Sequence, residues 1–157
     1  MIDIIGKTGN GKNVYITFRG HKHMVAHSDV SVDLIKEAIG KIDFEEGFKV
    51  AEIEFDHIIG NTSCVEVDAN DVVEYHQRIG RLGETPFVKK APQPTNKMVV
   101  IIKEDYFNLG LPTMITAFIG SKATKEPWDP SCTEEELEEA KAFWSTHALC
   151  YDESVFA

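Results

Sequence analysis

The chain has 157 residues, of which 43% are hydrophobic and 27% charged, and its formal net charge is −10 at pH 7. This length predicts a single domain spanning residues 1–157, and the composition is that of a soluble globular protein. The negative charge disfavours non-specific binding to nucleic acid, which requires clustered cations. No apolar run is long enough to cross a bilayer, so we expect no membrane partner.

The charges are spread unevenly along the chain. Residues 126–157 carry nine acidic side chains and one basic side chain, whereas residues 71–103 carry six basic and three acidic ones. An acidic C-terminal element therefore follows a locally basic middle section. The cysteines Cys64, Cys132 and Cys150 are odd in number and far apart, which predicts a reduced, cytoplasmic protein.

The first elements are a hairpin and a helix. Residues 1–18 predict a β-hairpin, because apolar residues flank a glycine-rich turn at 8–11 and then alternate with polar ones. Residues 28–39 predict the N-terminal helix, in which Ser28, Asp29 and Ser31 compete as N-cap.

Three histidines, His21, His23 and His27, lie between these elements. In a strand all three share one face with Val25, whereas in a helix only His23 and His27 do. Either spacing can hold zinc or a similar ion, with Asp29 as a nearby oxygen ligand. The alternatives are a catalytic histidine and a plain polar loop. Because no second ligand cluster accompanies them, we expect no tightly bound cofactor and keep these histidines as the alternative metal ligands.

Several strands are predicted in the middle of the chain. Residues 48–55 and 63–67 are strand-like, and residues 72–77 fit either a strand or a helical turn. Residues 78–84 are polar and contain glycine, which indicates a loop. Pro86, Phe87 and Val88 predict a short edge strand, because proline is excluded from central strands.

Two continuous apolar runs, 98–102 and 114–119, predict a hairpin at the centre of the sheet, joined by a loop of about nine residues. Four side chains are expected to be largely buried there: Val100, Ile102, Ile115 and Phe118. Thr133 and Glu136 form a capping-box motif that begins a helix reaching about Ala148. The predicted fold is α+β, with a mainly antiparallel sheet, a central hairpin, an N-terminal helix and a C-terminal amphipathic helix.

Residues 56–149 contain a series of short motifs that resembles a family of small bacterial and phage proteins. The motifs are Asp56-His57-x-x-Gly60-x-Thr62-x-Cys64-Val65-Glu66, Arg78-x-x-Arg81, Thr85-x-Phe87-Val88-Lys89, Pro92-x-Pro94-Thr95, Ile115-Thr116-Ala117-Phe118-Ile119-Gly120, Glu126-Pro127-Trp128-Asp129 and Phe143-Trp144-x-x-His147-Ala148-Leu149. That family is in turn similar to the nuclease superfamily that unites barnase, EndoU, the tRNA-cutting colicins and RelE.

The resemblance implies a metal-independent endoribonuclease, with RNA as partner. Such cleavage requires a base for the ribose 2′-hydroxyl, cations for the phosphorane and an acid for the leaving oxygen. The resemblance assigns these tasks to His57, to Arg78 and Arg81 as a phosphate clamp, and to Thr95 and Thr116 as hydroxyl donors. The sequence departs from the family pattern at Pro86, where that pattern has an arginine.

A second interpretation is a non-catalytic, acidic binding or inhibitory module that acts on a protein partner. It follows from the net charge of −10, the acidic C-terminal helix and the missing cation at Pro86. The sequence leaves the oligomeric state open.

Overall fold

The computed structural model describes residues 2–25, 27 and 29–157. The strands are β1 Ile2–Lys7, β2 Asn13–Thr17, β3 Phe48–Glu54, β4 Gly60–Thr62, β5 Cys64–Glu66, β6 Val73–Gln77, β7 Glu84–Val88, β8 Gln93–Thr95, β9 Lys97–Asp105, β10 Leu111–Ile119 and β11 His147–Cys150. The α-helices are α1 Phe18–Val25, α2 Val32–Gly40 and α3 Glu134–Trp144. The α+β class and the mainly antiparallel pairing are confirmed. None of the helices in the described residues is long and apolar enough to cross a membrane.

The chain divides into two compact units. The first unit comprises Met1–Gly60 and Thr95–Ser121, and the second comprises Asn61–Pro94 and Lys122–Ala157. Strands β4 and β8 pair in a separate two-stranded sheet. Whether the two units fold together as the predicted single domain stays a prediction.

The first unit is built on a five-stranded sheet in the order β1-β2-β10-β9-β3. The β9–β10 hairpin occupies the centre, and β10 pairs with β2 in the parallel direction. Helix α2 supplies Ile35, Ala38 and Ile39 to the core on one face of this sheet. The loop of the hairpin is shorter than predicted, because β9 continues to Asp105 and β10 begins at Leu111.

Two of the four side chains expected to be buried in the hairpin differ from the prediction. Val100 and Ile102 are buried, but Ile115 is 37% exposed and Phe118 is only partly buried. The register between β9 and β10 shifts between Met114 and Thr116, which is the signature of a β-bulge. The bulge inserts Ile115 as an extra residue, and helix α2 contributes its core residues on one face only. A continuous apolar run therefore does not require burial on both faces here.

The N-terminal segment contains two helices where one was predicted. Helix α1 begins at Phe18, in the region where the histidines allowed either a strand or a helix. Helix α2 begins at Val32, after Ser31, whose side chain accepts a hydrogen bond from the Leu34 amide at 3.1 Å. Of the competing caps, Ser31 is the one used, and Ser28 lies outside the described residues.

The second unit is built on a four-stranded sheet in the order β5-β11-β7-β6. The ambiguous segment 72–77 is therefore largely strand, as β6. The prediction that Pro86 lies in an edge strand was wrong, since β7 lies between β11 and β6. Proline has no backbone N–H to donate. It is tolerated here because β11 pairs with β7 only at Phe87 and Val88, so this ladder needs no N–H at position 86.

Helix α3 begins with the predicted capping box but ends earlier than expected. Thr133 accepts a hydrogen bond from the Glu136 amide at 3.2 Å, and the Glu136 carboxylate accepts one from the Thr133 amide. The extension to Ala148 was wrong, because the helix ends at Trp144 and Ala148 lies buried in β11. Hydroxyls of Ser145 and Thr146 donate to main-chain carbonyls of the last turn, a pattern that competes with helix continuation.

A tight contact in the second unit gives a stability prediction. A Cβ added at Gly83 would collide with the ring of Trp128, so the ring must move to accommodate it. We expect Gly83→Ala to lower the free energy of unfolding by about 1–3 kcal/mol, the usual cost of overpacking, in a urea titration. Gly40→Ala is the matched control, because the atom nearest its added Cβ is 4.0 Å away. Equal stability of the two variants would contradict the contact.

Candidate functional site

The five residues assigned by the resemblance are divided between the two units. His57, Thr95 and Thr116 belong to the first unit, and Arg78 and Arg81 belong to the second. Their convergence into one site stays a prediction. Within each unit, however, the structure shows what each side chain contacts.

Arg78 is engaged by a buried carboxylate. Its Nη2 lies 2.9 Å from Glu126 Oε2, and its Nε donates to Thr85 Oγ1 at 3.1 Å. Glu126 is only 7% exposed, so its negative charge depends on this guanidinium for compensation. These contacts assign Arg78 to the packing of the second unit rather than to a free phosphate clamp.

Arg81 is exposed, and its main-chain carbonyl accepts a hydrogen bond from Gln77 at 2.8 Å. Hydrogen bonds from Ser131 lower the pKa of Asp129, and the positive charges of Lys125 and Arg81 contribute to that lowering. The guanidinium of Arg81 therefore has an acidic neighbour.

His57 and Thr95 make hydrogen bonds with other residues of the first unit. The Nδ1 of His57 lies 2.7 Å from Asp56 Oδ1, and this hydrogen bond lowers the pKa of the Asp56 carboxyl. Thr95 Oγ1 accepts from the Lys97 amide at 3.1 Å, and the Thr95 carbonyl accepts from the Ile59 amide at 2.9 Å. The Asp56 and Lys97 contacts are local, as in turns, whereas the bond from the Ile59 amide joins Thr95 to a distant part of the chain.

Thr116 lies instead beside two of the three histidines. The Nε2 of His23 lies 2.8 Å from Thr116 Oγ1 and 3.2 Å from the Nε2 of His27. The two imidazole rings meet edge to face, with centroids 4.9 Å apart. Imidazole and hydroxyl groups in direct contact can exchange protons, as required of a general base and its partner. We name this group the His23 cluster, comprising His23, His27 and Thr116.

Local structure explains how the chain brings these residues together. Helix α1 carries His23, and the His27 amide donates to the Met24 carbonyl at 3.0 Å, which places His27 one turn beyond His23. The bulge in β10 lies at Met114 to Thr116, next to the same cluster. Bulges commonly occur beside active sites, where they redirect a side chain.

The His23 cluster borders a groove of about 690 Å³ in the first unit. Its lining combines two permanent cations, hydroxyl groups and apolar side chains. The lining residues are Thr17, Arg19, Gly20, His23, Lys103, Asp105, Phe107, Thr113, Met114, Ile115 and Thr116. Arg19 and Lys103 outnumber the single carboxylate, Asp105. The groove is thus a locally basic surface on a chain whose net charge is −10.

The third histidine does not join this cluster. The Nε2 of His21 lies 3.0 Å from Asp3 Oδ2, on strand β1. Among the described residues, no group of three His, Cys, Asp or Glu side chains is arranged to hold a metal ion. The structure therefore separates His21 from the pair that His23 and His27 form.

Two of the three cysteines, Cys64 and Cys150, are poor nucleophiles. Cys64, Cys132 and Cys150 are free thiols. Burial raises the pKa of the Cys64 thiol to about 11, with further contributions from Cys150 and Glu126, so the reactive thiolate is scarce at neutral pH. Burial likewise raises the pKa of Cys150.

Sequence reasoning missed three residues of the groove: Arg19, Lys103 and Phe107. Arg19 belongs to the stretch Arg19 to His23, in which two basic residues and two histidines alternate closely. This concentration of basic residues and histidines indicates a polar site. Lys103 and Phe107 gave no such signal, because the sequence places them in a hairpin loop far from α1.

Comparisons with known proteins describe the fold only. Neither the protein-family models nor the curated proteins give a match to this sequence. Among solved structures, the chain is similar to a conserved hypothetical protein from Toxoplasma gondii ME49. The two chains are 11% identical with a TM-score of 0.52, over 80% of this chain and 86% of the other. At this level of identity the similarity concerns the fold and says nothing about chemistry.

Proposed function

We propose that the protein is a metal-independent endoribonuclease whose reaction takes place in the groove of the first unit. The observation that carries this proposal is the position of His23 Nε2, 2.8 Å from Thr116 Oγ1 and 3.2 Å from His27 Nε2. Arg19 and Lys103 line the same groove. These groups supply a base and charge stabilisation, two of the requirements for RNA cleavage.

The contact with Thr116 indicates how a substrate would be activated. A hydroxyl oxygen 2.8 Å from Nε2 occupies the position that a ribose 2′-hydroxyl would take when its proton is removed. His23 accepts that proton while the 2′ oxygen bonds to phosphorus and the bond to the 5′ oxygen breaks. The leaving oxygen takes a proton from water in the open groove. The products are a 2′,3′-cyclic phosphate and a 5′-hydroxyl.

The remaining groups would serve the same step. Arg19 and Lys103 neutralise the phosphorane, and an arginine can bind two phosphate oxygens at once. His27 does not line the groove, so its task is to orient His23 and to share a proton with it through the Nε2 contact. Once displaced from His23, the Thr116 hydroxyl donates to a phosphate oxygen. The resemblance noted in the sequence supports RNA as the substrate.

The test is incubation of dialysed protein with a single-stranded RNA, with and without EDTA. We expect cleavage that EDTA leaves unchanged and fragments that end in 2′,3′-cyclic phosphate. An all-deoxy oligonucleotide of the same sequence is the control, because it lacks the attacking hydroxyl and should remain intact. Cleavage that EDTA abolishes would indicate a metal enzyme, and cleavage of the deoxy control would contradict attack by the 2′-hydroxyl.

A binding module acting on a basic protein partner is our second proposal. Its support is the surface of the second unit, where the outer side of α3 exposes Glu134, Glu135, Glu138 and Glu139. Such a surface steers oppositely charged partners. Absence of RNA cleavage in the experiment above would favour this alternative.

A further inference from the structure

The loop between β9 and β10 exposes an unusual amount of apolar surface. A 3₁₀ turn, Tyr106–Asn108, begins this loop. Tyr106 is 88%, Phe107 101% and Leu109 86% exposed to solvent. A single exposed apolar residue is ordinary, whereas three within four positions of one loop mark a contact surface. We name residues 106–109 the aromatic tip.

The aromatic tip is held by specific hydrogen bonds. Asp105 Oδ1 accepts from the Phe107 amide at 3.1 Å, and the Asp105 carbonyl accepts from the Gly110 amide at 2.8 Å. Asn108 is 2% exposed, and its side chain donates to Thr113 Oγ1 at 2.9 Å. The buried asparagine anchors the loop to β10, so the neighbouring Phe107 is presented outward by a defined turn.

The backbone of this turn is also strained. Leu109 has φ of 59°, and it is the one non-glycine residue with positive φ in the described part of the chain. A leucine side chain disfavours this left-handed conformation, because its Cβ approaches the following carbonyl oxygen. A strained, well-bonded loop that turns its aromatic residues towards solvent suggests that exposure is needed for binding.

Phe107 lines the same groove as Arg19, Lys103 and His23. We propose that the aromatic tip is a stacking platform for an unpaired base, which makes single-stranded RNA the substrate class of the groove. This inference rests on the proposed function. Aromatic rings bind the faces of bases while neighbouring cations follow the phosphates, and this combination is typical of single-strand recognition. In a duplex the base faces are already stacked and inaccessible.

Charge complementarity selects nucleic acid over a purely apolar occupant. The ring of Phe107 shares the groove with the cations Arg19 and Lys103. A base attached to an anionic backbone satisfies both the ring and the cations, whereas a purely apolar peptide leaves the cations without partners.

The experiment measures binding of a fluorescent, all-deoxy single strand by anisotropy, so that no cleavage interferes. We expect Phe107→Ala to weaken binding by about 5- to 100-fold, the range for loss of one stacked base, and Phe107→Trp to restore it. Tyr75→Ala is the control, because Tyr75 is an aromatic residue 61% exposed in the second unit. The matching duplex should bind more weakly than the single strand to the unchanged protein.

The outcomes separate this inference from the proposed function. Binding that depends on Phe107 without any RNA cleavage would support the platform and contradict the nuclease. Cleavage of single-stranded and duplex RNA at equal rates, with Phe107→Ala unchanged in binding, would contradict the platform and leave the nuclease standing. Concentration-dependent dimerisation that Phe107→Ala abolishes, without oligonucleotide binding, would identify the tip as a self-association surface and overturn the inference.

Discussion

Replacement of His23 by glutamine is expected to lower the rate of RNA cleavage by about 10²- to 10⁴-fold, the usual contribution of a general base. Glutamine keeps a polar group near Thr116 Oγ1, 2.8 Å from Nε2 in the native protein, but it cannot take a proton at neutral pH. His23 is exposed, so the melting temperature should hardly change. The measurement is the initial rate on a fluorogenic single-stranded RNA.

Two other histidines serve as controls for this substitution. His57→Gln changes a histidine whose Nδ1 contacts Asp56, and His21→Gln changes one whose Nε2 contacts Asp3. Both variants should retain nearly full activity. Loss of activity in His57→Gln, with His23→Gln still active, would return the site to the residues that the sequence resemblance assigned. His27→Gln should fall between these limits, because His27 acts through His23.

The largest stability effect is expected at Arg78. Arg78→Ala removes the partner of Glu126, which is 7% exposed, and leaves an uncompensated carboxylate in the second unit. Breaking a buried ion pair from one side costs about 3–5 kcal/mol. The pair is partly accessible through Arg78, 23% exposed at its side chain, so the lower end of that range is appropriate. Urea titration followed by tryptophan fluorescence gives the change in free energy of unfolding.

A double substitution separates the charge from the packing. Arg78→Met combined with Glu126→Leu removes both charges and keeps most of the volume, so it should be more stable than Arg78→Ala. Arg81→Ala is the matched single control, because Arg81 is exposed and should cost little. A fully stable Arg78→Ala protein would contradict the assignment of Arg78 to packing and reopen its assignment to phosphate binding.

The sequence predicts those helices and strands whose patterns lie within a few consecutive residues. The capping box at Thr133 and Glu136 is complete within one turn, and the apolar runs at 98–102 and 114–119 do form the two central strands. Periodicity predicts an apolar stripe of Val32, Ile35, Ala38 and Ile39 on α2. The last three of these are buried, whereas Val32 is exposed. In each case, neighbouring residues alone carry the information.

Other features depend on residues that are distant in the chain. The exposure of Ile115 follows from a bulge relative to β9, and the internal position of Pro86 depends on where β11 begins to pair. Strand β11 itself, His147–Cys150, replaces the predicted end of a helix because it pairs with β5 and β7. The residue pattern within each of these segments does not predict which strand it pairs with.

The residues of the candidate site also come together through contacts between segments that are distant in the chain. Thr116 and His23 were each singled out from the sequence, but in different groupings, because spacing does not tell which strand a helix covers. Arg78 belongs to one of the motifs, yet its guanidinium donates a hydrogen bond to the buried carboxylate of Glu126. Lys103 and Phe107 enter the groove through the geometry of the β9–β10 hairpin.

The central claim is that the groove beside the His23 cluster, rather than the residues around His57 and Arg81, receives RNA. Titration of isotope-labelled protein with a short, all-deoxy single strand, followed by amide resonances, tests this claim most directly. We expect the largest shifts at Arg19, His23, Lys103, Phe107 and Thr116, with the Arg78 to Arg81 segment unchanged. Shifts centred on His57 and on residues 78–81, with the groove residues unaffected, would contradict the account.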